Sequence, residues 1–210
     1  MGWEPVALII VCYALGCLNA GYYVVRWRTG ADIRTLGTGT AGARNVGRQL
    51  GKSGFAVTLL LDLMKGVVSV ALARWLVPGS GLEIVATLAV VAGHIWPVQL
   101  GFRGGKGLAT ATGAMLIFDP LLLFCVAIVV GVLVAVVRRV TVPGLVGVAS
   151  APLIGIAVGL SWLVVLGVAA VSALVLFAHR NNIQQLVGAG GSRQPASTAL
   201  SSALNGEPEG

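Results

Sequence analysis

The sequence predicts an all-α protein that crosses a membrane several times, and three observations carry that prediction. Of 210 residues, 57% are hydrophobic and only 10% are charged, where a soluble domain carries about 25% charged residues. Apolar stretches of about 20 residues recur, the length that crosses a hydrocarbon core of roughly 30 Å. The basic residues fall in short clusters between those stretches, as they do in cytoplasmic membrane loops. The net charge of +7 therefore reads as loop topology, and no nucleic-acid partner is expected.

Seven spans follow in order. The first runs from about Val6 to Val25, and a basic stretch follows it, with Arg26, Arg28, Arg34, Arg44, Arg48 and Lys52. The second covers about Gly54 to Val77 and carries Asp62 and Lys65. The third covers about Leu82 to Leu100. Gly101-Phe102-Arg103-Gly104-Gly105-Lys106-Gly107 opens a short fourth span, about Leu108 to Phe118, which Asp119-Pro120 ends. The fifth runs from about Leu121 to Val137 and stops at Arg138-Arg139. The sixth and seventh cover about Val142 to Gly159 and Leu160 to Ala178. The fourth is short enough for a re-entrant segment, but a failure to cross would put Arg138 and Arg139 outside, so a short crossing is favoured.

With the N-terminus outside and the C-terminus cytoplasmic, all of the 14 lysines and arginines fall on the cytoplasmic side except the embedded Lys65 and the outer Arg74, as the positive-inside rule demands. Trp3, Trp75 and Trp162 then mark the outer interface and Trp27 the inner one. Residues 1–187 read as a single membrane domain. Residues 188–210, rich in Gly, Ser, Ala and Pro, read as a disordered cytoplasmic tail. Met1 to Pro5 carry no basic segment, so the first span is expected to be retained. The cysteines, Cys12, Cys17 and Cys125, all sit in apolar runs without a Cys-x-x-Cys pair, which suggests neither zinc nor redox chemistry.

Two glycine-rich segments share the cytoplasmic face. The first contains Gly37, Thr38, Gly39, Gly42, Arg44 and Asn45; the second contains Gly104, Gly105, Lys106 and Gly107. Glycine lets successive backbone N–H groups approach an anion, and a helix N-terminus adds partial positive charge. Phosphate is the expected ligand, with plain turns as the alternative. Asp62 and Lys65, three apart on one helix face, are costly within a span unless paired; they are either functional or a buried structural pair. His94 and His179 are each either structural or catalytic, and neither is followed by an Asp five residues later. No Gly-x-Ser-x-Gly motif is present.

The ordered set Asp32-Ile33-Arg34, Gly37-x-Gly39-x-x-Gly42-Ala43-x-Asn45-x-x-Arg48, Asp62-x-x-Lys65-Gly66, Gly93-His94-x-x-Pro97, Phe102-x-Gly104-Gly105-Lys106-Gly107 and His179-x-x-Asn182 resembles the PlsY family, bacterial membrane acyltransferases. The resemblance implies transfer of a fatty acyl group from acyl phosphate to the 1-position of glycerol 3-phosphate, giving lysophosphatidic acid and phosphate. It implies a bacterial inner membrane, a cytoplasmic active site, surrounding membrane lipids, and no cofactor or metal. It implies catalytic roles for Thr38, Asn45, His94 and Lys106. Substrate phosphate binding falls to Arg34, Gly37, Gly39, Gly42, Arg48, Lys65, Gly104, Gly105, Gly107, His179 and Asn182. The sequence departs from the family pattern at Thr38, Thr40, Arg44, Gly16 to Asn19, Ala178 and Gln185. Those departures leave open an inactive or differently specific member, and the embedded charges leave open a small anion transporter.

Overall fold

The computed structural model describes residues 3–188, and all regular structure among them is helical. Two compact units divide at 178/179. The first holds α1 (Glu4–Cys17), α2 (Ala20–Thr29), α3 (Ala43–Leu76), α4 (Glu83–Ile95), α5 (Leu108–Phe118), α6 (Pro120–Val137), α7 (Thr141–Ala157) and α8 (Trp162–Ala178). The second begins at His179 and contains α9 (Arg180–Gly188). Apart from Gly188, the tail expected at 188–210 lies outside the described residues.

Four segments are long and apolar enough to cross a bilayer: Glu4–Thr29, Ala43–Leu76, Glu83–Leu100 and Pro120–Val137. α5, α7 and α8 are apolar but shorter, at 11, 17 and 17 residues. The protein is therefore an all-helical multi-pass membrane protein. Large apolar side chains line its outside: on α6, Leu121, Phe124, Ile128, Val132 and Val136 are exposed at helical spacing, as a lipid-facing stripe requires. Trp3, Trp27, Trp75 and Trp162 are all exposed as well.

Two predicted boundaries move. The first span is broken at Leu18-Asn19, where Asn19 leaves the helix and its buried side-chain amide donates to the His94 carbonyl at 3.3 Å. The second begins well before Gly54: α3 starts at Ala43 and bends at Gly51, whose φ is 73°. Arg44, Asn45 and Arg48 are thus helical residues and not part of an open loop. Arg44 and Arg48, four apart, suit one helix face, which loop composition had hidden.

Glycine sets how closely the helices pack. A Cβ on Gly16 would overlap the Val90 carbonyl, and one on Gly93 would overlap that of Tyr13, so α1 and α4 meet backbone to backbone. The same reciprocity joins α3 and α5, where Gly66 lies on the Thr110 carbonyl and Gly113 on that of Leu63. In a bilayer, where apolar burial gives little drive for helices to associate, small residues at the interface supply the packing. Ile84, Val90, Val91, Ala111, Leu122, Val168, Val171 and Val175 close the core of the remaining helices. Far from the glycine segments, Arg74 pairs with Glu83 at 3.7 Å and donates to the Phe118 carbonyl at 2.9 Å, which ties three segments together.

Gly93→Ala is expected to force α1 and α4 apart and to cost about 1–3 kcal/mol, lowering the unfolding midpoint in detergent by on the order of 5 °C. Gly131→Ala, where a Cβ meets nothing within 4 Å, should leave the midpoint unchanged. Thermal unfolding of both purified variants checks the pair.

Candidate active site

The two glycine segments meet. The Ala41 N–H donates to the Gly104 carbonyl at 3.3 Å, which braces the first against the second. Asn45, on the first turn of α3 and almost fully buried, organises the first segment. Its amide donates to the carbonyls of Ile33, Leu36 and Thr40 at 3.2, 2.9 and 3.0 Å, and its Oδ1 accepts from the Thr38 N–H at 3.0 Å. Its side chain is spent on the loop, so Asn45 positions Thr38 and Thr40. Their hydroxyls sit 3.2 Å apart at the surface.

Several loop N–H groups that were expected to face an anion are spent within the protein. Besides Thr38 and Ala41, Gly39 donates to Leu36 O at 3.0 Å, Gly104 to Ile95 O at 3.1 Å and Gly105 to His94 O at 3.0 Å. The glycines serve geometry instead. Gly37, Gly39 and Gly107 hold positive φ, which side chains resist. Gly104 and Gly105 sit where a Cβ would strike the carbonyl and ring of His94. Gly42 caps α3 with extended backbone. The backbone donors that an anion can use are those at the start of α5, directly after Lys106, which precede any intrahelical acceptor.

Arg34 is also committed. Its guanidinium pairs with Asp32 at 2.6 Å, donates to the Leu100 carbonyl and lies 5.2 Å from the Tyr22 ring centroid. The hydrogen bond from Arg34 holds the Asp32 carboxyl below the usual carboxylate range and raises the arginine in return. Arg34 thus ties the first glycine segment to the second and is not presented as a phosphate ligand.

Positive charge gathers elsewhere. Arg44 and Arg48 are exposed on the first two turns of α3, and Lys106 is half-buried. Burial, then Arg44, then Arg48 push the Lys106 ammonium below the usual lysine range. Asp32 is engaged by Arg34, Asp62 by Lys65 and Glu83 by Arg74, and Asp119 caps the start of α6. Arg44 also donates to the Thr141 hydroxyl at 2.6 Å, linking α3 to the start of α7. In the sequence Arg44 departs from the family pattern while adding a positive charge to the first glycine segment. Its spacing from Arg48 on a helix was the signal for a cationic pair.

Beneath this cluster lies a buried polar centre. The Lys65 ammonium stands 2.9 Å from Asp62, 2.7 Å from His94 Nδ1, and 3.1 Å from each of the Gly16 and Leu18 carbonyls. An ammonium can only donate. His94 Nδ1 therefore accepts, and the ring proton resides on Nε2, the edge packed beneath Gly105. That tautomer is a donor and not a base. Lys65 and His94 are enclosed and act through the Gly104-Gly105 backbone, so neither is offered as a direct phosphate contact. The embedded pair that left a transport reading open is satisfied internally. His179 and Asn182 belong to the second unit, where the His179 carbonyl accepts from the Ile183 N–H at 3.0 Å. Among the described residues no three His, Cys, Asp or Glu side chains are grouped to hold a metal ion.

A family model described as glycerol-3-phosphate acyltransferase matches residues 6–189. The chain belongs to the glycerol-3-phosphate acyltransferase family. The glycerol-3-phosphate acyltransferase 1 of Desulfitobacterium hafniense (strain Y51) is 39% identical over 187 residues, covering 89% of this chain and 92% of that protein. The enzyme of Clostridioides difficile (strain 630) is 38% identical over 188 residues, covering 87% and 91%. The crystal structure of PlsY (YgiH), an integral membrane glycerol 3-phosphate acyltransferase in its glycerol 3-phosphate form, superposes with a TM-score of 0.79 at 31% identity. It covers 93% of this chain and 98% of that one. The lysophosphatidic acid form gives 0.76 at 30% identity. As an acyltransferase of this family, the protein works in phospholipid synthesis.

Lys65→Met should unfold or strongly destabilise this acyltransferase, because Asp62 is left charged and unpaired inside the bundle, a loss of roughly 3–5 kcal/mol. Asp62→Asn combined with Lys65→Met should recover much of that stability. A double-mutant cycle on detergent unfolding checks the coupling; additive losses would show that the two side chains do not act as a pair.

Proposed function

We propose that this protein transfers a fatty acyl group from acyl phosphate to the 1-hydroxyl of glycerol 3-phosphate at the cytoplasmic face of a bacterial inner membrane. The observation that carries the reading is the cationic group Arg44, Arg48 and Lys106, set against two interlocked glycine segments at the start of α5. Both substrates carry phosphate, and both phosphates need positioning.

The substrate hydroxyl oxygen attacks the acyl carbonyl, the bond from that carbonyl to the phosphate oxygen breaks, and the departing phosphate takes the hydroxyl proton. Acyl phosphate is already an activated mixed anhydride, so the protein's task is alignment and charge stabilisation. Lys106 and the α5 N-terminus hold one phosphate, and Arg48 with Arg44 holds the other. The Thr38 hydroxyl completes the rim. Asn45, Arg34, Lys65 and His94 position the two segments. One membrane domain carries the activity in seven crossings, with the N-terminus outside. The alternation of α3 to α8 and the placement of the basic segments support that topology.

Single cysteines at Thr29, Arg103 and Arg139, in a background without native cysteines, should resist an impermeant thiol reagent in intact cells. Labelling at 139 but not at 103 would show that α5 does not cross.

Lys106→Ala should lower activity by about 10- to 150-fold, the worth of a charge-assisted hydrogen bond of roughly 1.5–3 kcal/mol. The exposed Lys52→Ala should cost less than about threefold. Turnover of labelled glycerol 3-phosphate with acyl phosphate checks both, and comparable turnover with acyl-CoA would remove the donor assignment. Because burial and the neighbouring arginines hold the Lys106 ammonium low, its charge is lost on the alkaline side earlier than in a solvated lysine. The alkaline limb of kcat/KM should therefore fall below the usual lysine range. Arg48→Gln, which removes one like charge, should move that limb upward while raising KM.

A further inference from the structure

Beside the bend in α3, just before its apolar span, runs an open groove of about 360 Å³ lined by Arg44, Gly47, Arg48, Gly51, Lys52 and Phe55. Gly47 and Gly51, four apart, leave room along the helix, and Gly51 turns it. A Cβ on Gly47 would meet that of Phe55 at 2.9 Å, so the phenyl group packs over Gly47 and gives the groove an apolar wall. The rest of the lining is cationic. None of it is acidic, and neither Arg48 nor Lys52 makes an ion pair among the described residues. Clustered charge of one sign attracts an anion. The groove also continues into the bilayer. Lys52, Ala56, Leu60 and Met64 recur every four residues and are all exposed, which sets them in one row along α3. The row begins with a cation and goes on apolar. That is the order of groups that a phospholipid presents, with its charge at the interface and its chains below. A soluble anion would use the cations alone.

We propose that this groove is a regulatory site for an anionic membrane phospholipid, whose phosphate lies between Lys52 and Arg48 and whose chains run along Ala56, Leu60 and Met64. Arg48 is one of the two cations assigned above to a substrate phosphate. Lipid and substrate therefore compete for it, and a membrane already rich in anionic lipid restrains the reaction that leads to more of it. The binding of lipid stands on the groove and the row alone; the competition rests on the acyl-transfer reading. Lys52 serves the lipid only, which separates the two uses of the site.

The test uses the full-length protein in dodecyl maltoside micelles doped with phosphatidylglycerol or phosphatidylcholine, assayed with acyl phosphate and labelled glycerol 3-phosphate. Phosphatidylglycerol should raise KM for one of the two substrates severalfold with little change in kcat, and phosphatidylcholine should not. Lys52→Gln should keep turnover without added lipid within about threefold of the wild type. It should need about fivefold more phosphatidylglycerol for the same rise in KM, the worth of one interfacial cation. Lys52→Arg should behave as the wild type. Arg28→Gln removes an exposed cation at the end of α2 and controls for the surface potential of the doped micelle. Equal relief in Arg28→Gln and Lys52→Gln would overturn the proposal. So would equal relief by Lys52→Gln of inhibition by inorganic phosphate, because the groove would then take a soluble anion. A second arm reads binding alone, by native mass spectrometry of the protein released from phosphatidylglycerol micelles. Lipid retained by the wild type and lost from Lys52→Gln supports the site, and equal retention by both overturns it. Retention by the wild type with both KM values unmoved would overturn the competition. Retention with no turnover at all would leave the lipid site standing and remove the acyl-transfer reading alone.

Discussion

The Lys65 ammonium is the constraint on which the rest depends. It sits inside a helical bundle in contact with a carboxylate, an imidazole nitrogen and two backbone carbonyls. Its three N–H bonds go to His94 Nδ1 and the Gly16 and Leu18 carbonyls, with Asp62 in ionic contact at 2.9 Å. Removing such a charge from water is expensive, and the cost is offset only because every neighbour accepts. Two of those neighbours are the carbonyls that the break at Leu18-Asn19 leaves without helical donors. Lys65 thus satisfies the end of α1, anchors α3 and fixes the His94 ring on α4 with one group. Because His94 carries Gly105 on its carbonyl and beneath its ring, the same ion centre sets the height of the loop that bears Lys106.

Glycine does the complementary work. Close backbone contact between α1 and α4, and between α3 and α5, brings those elements near enough for Lys65 to reach its partners. Around the site, glycine lets two loops touch each other and the His94 ring. The result is a preformed platform whose hydrogen bonds are made within the protein. In the proposed function, substrate phosphate would meet side chains and one helix N-terminus, with little loop ordering left to perform on binding.

Much of this was legible in the sequence, and the failures share a cause. Composition and the spacing of basic clusters gave the all-helical membrane class. The boundaries of α5, α6, α7 and α8 agree with the expected spans within about two residues. The ordered motifs gave the family and the two segments that meet. What escaped was the use to which each polar group is put. Arg34 and Asn45 have the chemistry of phosphate ligands, but tertiary neighbours, Asp32 and the loop carbonyls, claim them first. The start of α3 was hidden because a basic, glycine-containing run resembles a loop until Gly42 is seen to cap it. Asp62 and Lys65 could be paired from their spacing. That His94 completes the cluster from another helix could not, since spacing says nothing about contacts across 29 residues.

The site follows a division that these assignments make explicit. Like charges at Arg44, Arg48 and Lys106 repel one another, and that repulsion together with burial lowers the Lys106 proton affinity. In the proposed function a bound phosphate would offset that repulsion and favour the ammonium form, so binding and protonation would reinforce each other. Opposite charges at Asp62 and Lys65 lie one layer deeper and hold the frame still while this happens. The first set lies at or near the surface, and the second is enclosed. The cationic group and the buried centre are separate sets of residues, both carried on α3 and linked again through Gly104 and Gly105.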